Sequence, residues 1–199
     1  MNPLLGIPLG LALSTAAGLR VFVPLLLTSL AARAGLLTLT PGMSWLASDA
    51  ALVAFITAAL LEVGAYYVPW LDNLVDTFAA PAAITAGVIQ MAAVTPDLPP
   101  LLRWSLAIVA GGTLAGFTQL STTLLRLKSS TLTAGVGNPV LATGELMGSI
   151  LLVVLGLLLP VLAAVLVVVL LVMLVRRLLR RPEPTVNVAP GSPARRTGG

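Results

Sequence analysis

Three ionisable residues stand inside long apolar runs: Arg20 in LSTAAGLRVFVPLLLTSL, Glu62 in LVAFITAALLEVGA and Glu145 in NPVLATGELMGSILLVV. A charge near the middle of a bilayer costs roughly 2.5–3.5 kcal/mol on insertion scales, so such residues face a protein interior or a water-filled cavity and find partners there. Two carboxylates and a guanidinium at depth can hold an ion, a proton or a small solute. The same groups can instead form a buried ion pair that ties helices together. The residue types leave both readings open.

A second set lies nearer the ends of the apolar runs. Asp72 and Asp76 follow Pro69 in VPWLDNLVDT, one helical turn apart, with no basic residue between Arg33 and Arg103. They can cap the helix that follows, or hold a cation at a cytoplasmic vestibule. Gln119, Thr122, Thr123 and Arg126 fall at i, i+3, i+4 and i+7 and share one helix face; a polar face on a membrane helix points inward. Trp70, Tyr66 and Tyr67 suit an interfacial belt. Gly6-x-x-x-Gly10, Gly112-x-x-x-Gly116 and Gly144-x-x-x-Gly148 allow close helix approach, within the chain or between copies of a homo-oligomer. SSTLTAGVGNP at 129–139 lacks the Gly-Lys-Ser/Thr ending of a phosphate loop and reads as a linker.

The chain has no cysteine and no histidine. This excludes thiol chemistry, zinc-finger sites, histidine-ligated haem and imidazole triads. No metal or other cofactor is expected. An enzyme would have to work with carboxylates alone, so the chain is not read as one.

Composition defines the elements that must position these groups. The 199 residues are 58% apolar and 9% charged, with mean hydropathy +1.05, whereas a soluble domain carries roughly a quarter charged residues. Most of the surface must meet lipid, and the bilayer is the expected partner. Apolar runs of about 20 residues predict spans at Leu9–Ala32, Ala50–Val68, Thr77–Val94, Leu101–Leu125, Pro139–Leu159 and Val161–Leu179. The third is short and carries Pro81 and Gln90, so it fits a full span or a re-entrant half-helix. MNPLLGIPLGLALS has no basic n-region and reads as part of a retained span.

Charge sets the orientation. Residues 1–175 carry five basic and six acidic groups, and residues 176–199 six basic and one acidic. Arg126 and Lys128 precede the fifth span, and Arg176, Arg177, Arg180 and Arg181 follow the sixth. With both clusters cytoplasmic, two crossings separate them. This predicts six spans with both termini cytoplasmic, a helical membrane domain at 1–181 and a disordered cytoplasmic tail at 182–199. The tail is read as a topology signal, since no basic fold or aromatic platform for nucleic acid accompanies it. Glu62 and Glu145 then lie roughly 9–10 Å from the same membrane face, with Arg20 midway along the first span.

Laying Gly18 on Gly116 aligns LSTAAGLRVFVPLLLTSLAAR with GGTLAGFTQLSTTLLRLKSS, and the next span carries one glutamate each time. Three spans per half would make inverted repeats, a plan common among transporters. The intervals disagree: 44 residues from Gly18 to Glu62 against 29 from Gly116 to Glu145.

AAGLRVFVPLLLTSLAARAGLL at 16–37, LLEVGAYYVPWLDNLVDTFAAP at 60–81, the Gly111–Gly112 pair, Arg126, NPVLATGE at 138–145 and Pro160 occur in that order. In this the chain resembles the small bacterial membrane proteins catalogued as domain of unknown function 4126. The resemblance covers most of residues 9–175. It implies a polytopic helical protein of the bacterial plasma membrane, with no established activity. It also implies a family role for Arg20, Glu62, Pro69, Asp72, Asp76, Arg126, Asn138 and Glu145. The chain departs from the family where Tyr66 and Tyr67 replace an Asp-Lys-type pair. It departs again where Thr, Gln and Ser replace His and Lys in the fourth span, and where Leu146 replaces an acidic residue.

The expectation is therefore an all-α, polytopic integral membrane bundle of about six spans, with two inverted three-helix repeats as one arrangement of them. The leading function is transport or permeation of a small solute or ion. Its site would be drawn from Arg20, Glu62, Asp72, Asp76, Gln119, Arg126 and Glu145. The alternative is a non-transporting membrane scaffold or assembly protein whose buried charges are structural pairs.

Overall fold

The computed structural model describes residues 3–65, 69–133 and 136–179. Tyr66, Tyr67, the side chains of residues 70–77 and the tail at 182–199 lie outside the described residues. All regular structure among the described residues is helical. In chain order it comprises α1 (Pro3–Leu19), α2 (Phe22–Arg33), a 3-10 segment (Pro41–Ala47), α3 (Asp49–Ala65), α4 (Pro69–Ala93), α5 (Pro100–Leu106), a π-helical segment (Ala107–Gly112), α6 (Thr113–Thr133), α7 (Asn138–Leu158) and α8 (Pro160–Leu179).

The run Leu9–Ala32 is not one span. Helical hydrogen bonding in α1 reaches Arg20, whose N lies 3.0 Å from Ala16 O; the chain then bends and α2 starts at Phe22. Pro24 supplies the physical reason. In a continuous helix its ring would collide with the Arg20 carbonyl and could offer that carbonyl no N–H. In the first turn of a new helix neither cost arises, because first-turn amides have no intrahelical partner.

Contacts along α4 show that α2 returns beside α1. Gly6 packs at Val94 and Gly10 at Met91, and Ser14 Oγ donates to Gly87 O at 2.8 Å. α1 therefore runs antiparallel to α4 and brings Arg20 toward the start of that helix. The chain then climbs back. Thr28 Oγ1 donates to Gln90 Oε1 at 3.0 Å, and Thr40 N donates to Ala93 O at 2.8 Å. α1 and α2 form a helical hairpin with its tip at Arg20–Val21. At the other end of α2, Gly35 at φ 73° takes the left-handed conformation that closes a helix C-terminus.

The remaining helices alternate in direction. α3 runs antiparallel to α2, with Arg33 Nη1 2.7 Å from Asp49 Oδ1 at one end and Glu62 against Val21 at the other. α6 runs antiparallel to α4, with Gly87 packed on Gly111 and Ala115. α7 runs antiparallel to α1: Ser149 Oγ donates to Ala16 O at 3.1 Å, and Gly156 sits against Leu9 and Ala12. α8 packs back along α1 and α7, so the chain turns at Leu159–Pro160. α1 is central, with Leu9, Ala12, Leu13, Ala16 and Ala17 wholly buried.

Three expectations change with this topology. α1 and α6 run the same way, meeting where Gly18 packs on Ala115 and Thr118, so matching Gly18 to Gly116 does not describe an inverted repeat. The predicted third span starts too late: α4 is 25 residues long and opens at Pro69, eight residues before Thr77. Residues 129–133 continue α6 and Asn138 opens α7, so most of the predicted linker is helical.

Two of the three glycine pairs, Gly6–Gly10 and Gly112–Gly116, pack within the chain. Gly112 and Gly116 take Ile84 and Val88 of α4, while Gly144 has no such neighbour within 4 Å. The π-helical segment widens one turn where Gly111 and Gly112 face α4. Its extra residue turns everything after it by about 100° relative to an unbroken α-helix.

Among the described residues, Pro100–Leu132 (33 residues) and Asn138–Leu158 (21 residues) are long and apolar enough to cross a membrane. The pair Pro41–Ala47 and Asp49–Ala65, bent by 60°, makes a third if counted as one span. Leu5–Leu19, Phe22–Arg33, Phe78–Ala93 and Pro160–Met173 are shorter apolar helices. The outer faces of α5, the π-helical segment, α6 and α8 expose Leu101, Ile108, Val109, Leu120, Leu162 and Val168, a surface compatible with lipid.

Candidate functional site

The hairpin tip gathers charge from four parts of the chain. Arg20, only 2% exposed, reaches α7, where its Nη2 donates to Ala142 O at 2.6 Å and lies 3.4 Å from Glu145 Oε2. Arg126 comes from α6, two turns before that helix ends. Its Nε donates to Glu145 Oε1 at 3.1 Å, and its Nη2 donates to Glu145 Oε2. This is the forked, two-bond pairing that the planar guanidinium favours. Asn138 Nδ2 donates to Ser130 Oγ at 3.0 Å, joining α6 to α7 below the pair.

Glu62 comes from the last turn of α3 and is 6% exposed. Its Oε1 accepts from Val21 N at 2.6 Å and its Oε2 from Phe22 N at 3.0 Å. The break at Arg20 frees these amides from the helical ladder, and they carry the positive end of the α2 dipole. The charge of Arg20 acts on Glu62 as well. Among the described residues, two arginines and two glutamates thus gather inside the bundle. Losing either sign would strand the other in a medium of low dielectric.

Arg20, Glu62, Arg126 and Glu145 come together. Gln119 and Thr122 are buried on the same face of α6 as Arg126, nearer the crossing with α1, while Thr123 is exposed. Asp72 and Asp76 have their backbone inside α4, so neither stands at its N-cap; their side chains lie outside the described residues. Two apolar surface grooves, one around Leu159–Pro160 and one between α4 and α6 at Ile84, Val88 and Phe117, lie away from the cluster.

A second buried polar group was missed in the sequence. Thr28, Ser29 and Gln90 are all 0% exposed. The Gln90 Nε2 and Ser29 Oγ have no hydrogen-bond partner among the described residues. A glutamine in an otherwise apolar stretch is the signal that points to it.

The fold and the cluster define an all-helical protein of apolar helices, compatible with a membrane, whose buried charges meet at the tip of a helical hairpin. Residues 7–180 match the model of the family described as Domain of unknown function (DUF4126), and the chain belongs to that family. No curated protein and no solved structure matches it.

Proposed function

We propose that this is a multi-pass membrane protein that moves a small solute or ion through a site at the α1–α2 tip. One observation carries the reading. The tip of a helical hairpin, with two backbone amides released from the helical ladder, meets Arg20, Glu62, Arg126 and Glu145 inside the bundle. Interrupted helices that end on buried charge are how transporters build sites away from bulk water. The end of the bundle nearest this tip also holds Lys128 and the C-terminal end of α8 with Arg176. Arg33 and Arg103 sit at the other end, and the first end is taken as cytoplasmic. With α1 and α2 as separate limbs, α1 starts at the end opposite to the one where α8 finishes, in place of two cytoplasmic termini.

A second reading, the membrane scaffold, is favoured by the full engagement of both carboxylates, which is also what a structural lock requires. Flux measurements on purified chain in liposomes separate the two, using a panel of ions and small metabolites with wild type and Glu145→Gln. Protein-dependent flux of one solute, lost in the variant, supports transport. No flux for any solute, with the variant merely less stable, supports the scaffold.

A further inference from the structure

A surface groove of about 440 Å³ runs between α4 and the π-helical segment with α6. Gly112 and Gly116 leave its base without side chains, Ile84 and Val88 of α4 form one wall, and Phe117 of α6 stands in the other. The lining is apolar apart from Thr113. The groove lies along Pro100–Leu132, the longest described stretch able to cross a membrane, and opens where Ile108 and Leu120 are exposed.

Size and charge together select what covers it. From Ile108 to Leu120 the groove follows the helix for about 18 Å. This is close to the ~15 Å depth of hydrocarbon in one leaflet, half of a core about 30 Å thick. Eight described residues line the groove, whereas a stable protein–protein interface takes roughly 20–30 residues on each side. It therefore fits one extended chain better than a second copy of the protein.

The end of the groove at Ile108 points to a headgroup. Arg103 stands in α5, about 7–8 Å farther along the axis. The polar layer on each face of a bilayer is about 5–8 Å deep, so a phosphate whose acyl chain enters at Ile108 comes level with Arg103. Among the described residues Arg103 has no ion-pair partner, and its Nε is shielded from solvent without a hydrogen-bond partner. A guanidinium is suited to phosphate oxygens, which it pairs through two parallel bonds. At the Leu120 end the first exposed cation, Lys128, is about 12 Å away.

We propose that this groove holds one acyl chain of a glycerophospholipid whose phosphate is bound by Arg103. The lipid belongs to the leaflet at the Arg103 end, opposite the end taken as cytoplasmic. Its binding requires the membrane placement proposed above but no transport, so the two can fail separately.

Native mass spectrometry of the full chain, released from detergent, counts bound lipid and copies of the chain together. Wild type should bind one dioleoyl phosphatidylglycerol about tenfold more tightly than dioleoylglycerol, which has the same chains and no phosphate, as expected for a charge-assisted hydrogen bond. Arg103→Gln should abolish that difference. Thr113→Trp, at an exposed position on the groove, should fill it and weaken both lipids. Phosphatidylglycerol with a photoreactive diazirine on one acyl chain should label wild type within residues 84–88 or 108–120. The proposal is overturned if the difference survives in Arg103→Gln, if a folded Thr113→Trp binds both lipids as wild type does, or if the label falls elsewhere. A dimeric wild type that Thr113→Trp makes monomeric also overturns it, because a second copy then covers the groove. If a variant does not fold, photolabelling of wild type decides alone. Labelling of the groove without solute flux keeps the lipid site and removes the transport reading. Flux without labelling does the opposite.

Discussion

Glu62 closes a helix that begins about forty residues ahead of it in the chain, its Oε1 2.6 Å from Val21 N. Helix starts are normally capped by a side chain at the start itself. At Val21 the cap position holds a valine and no local cap forms, so the carboxylate arrives from α3. One contact thereby fixes both the start of α2 and the register of α3 against it.

Glu62→Ala should remove two charge-assisted hydrogen bonds and lower stability by about 2–4 kcal/mol. Glu62→Gln keeps one acceptor oxygen and should lose roughly half as much. Unfolding in mixed micelles by added SDS measures the difference. Equal losses for both variants would mean that the carboxylate does not act as a cap.

Arg126 and Glu145 should show strong coupling. Arg126→Met alone leaves part of the Glu145 charge unanswered and should cost about 3–5 kcal/mol, the usual range for breaking a buried pair. R126M/E145M should recover a large share, giving a coupling energy of roughly 2 kcal/mol or more in a double-mutant cycle. Additive losses would show that the pair contributes little.

Two glycine substitutions should behave oppositely. A Cβ at Gly87 would fall 2.6 Å from Gly111 O and 2.5 Å from Ala115 Cβ. Backbone there would have to move, so Gly87→Ala should cost about 3 kcal/mol or prevent folding. Gly144 faces open space, and Gly144→Ala should gain roughly 0.5–1 kcal/mol of helix stability.

The hairpin predicts a distance. The chain has no cysteine, so spin labels at Ile7 and Leu36, both exposed, need only two substitutions. In a straight helix these positions would be about 43 Å apart. In the hairpin they share one end of the bundle, and the labels should lie within about 20 Å, two interhelical spacings. A value near the longer figure would refute the fold of the first two helices.

The charged partners were legible because a charge in an apolar run has few places to go. Arg126 was marked by the polar face it shares with Gln119. The hairpin was not read, although Pro24 stands four residues after Arg20, where a continuous helix cannot accept it. Apolar patterning carries no direction: a 24-residue, largely apolar run such as Leu9–Ala32 looks alike whether the chain runs on or doubles back. The start of α4 at Pro69, eight residues before the predicted span, was missed for a related reason, since proline ends one helix as readily as it opens the next. Nothing in composition distinguishes those roles without the neighbour that each helix packs against.

Arg20 also has a history in time. Glu145 follows it by 125 residues, roughly 6–25 s of synthesis at 5–20 residues per second. On the proposed topology, the first two helices must therefore meet the bilayer before the carboxylate of α7 exists. Until then the guanidinium has to stay near water or headgroups, and α2 waits for Glu62 before its first amides are satisfied. The hairpin can seat fully only after α6 and α7 have been made, so biogenesis of this protein should be late-closing and sensitive to truncation after Thr133.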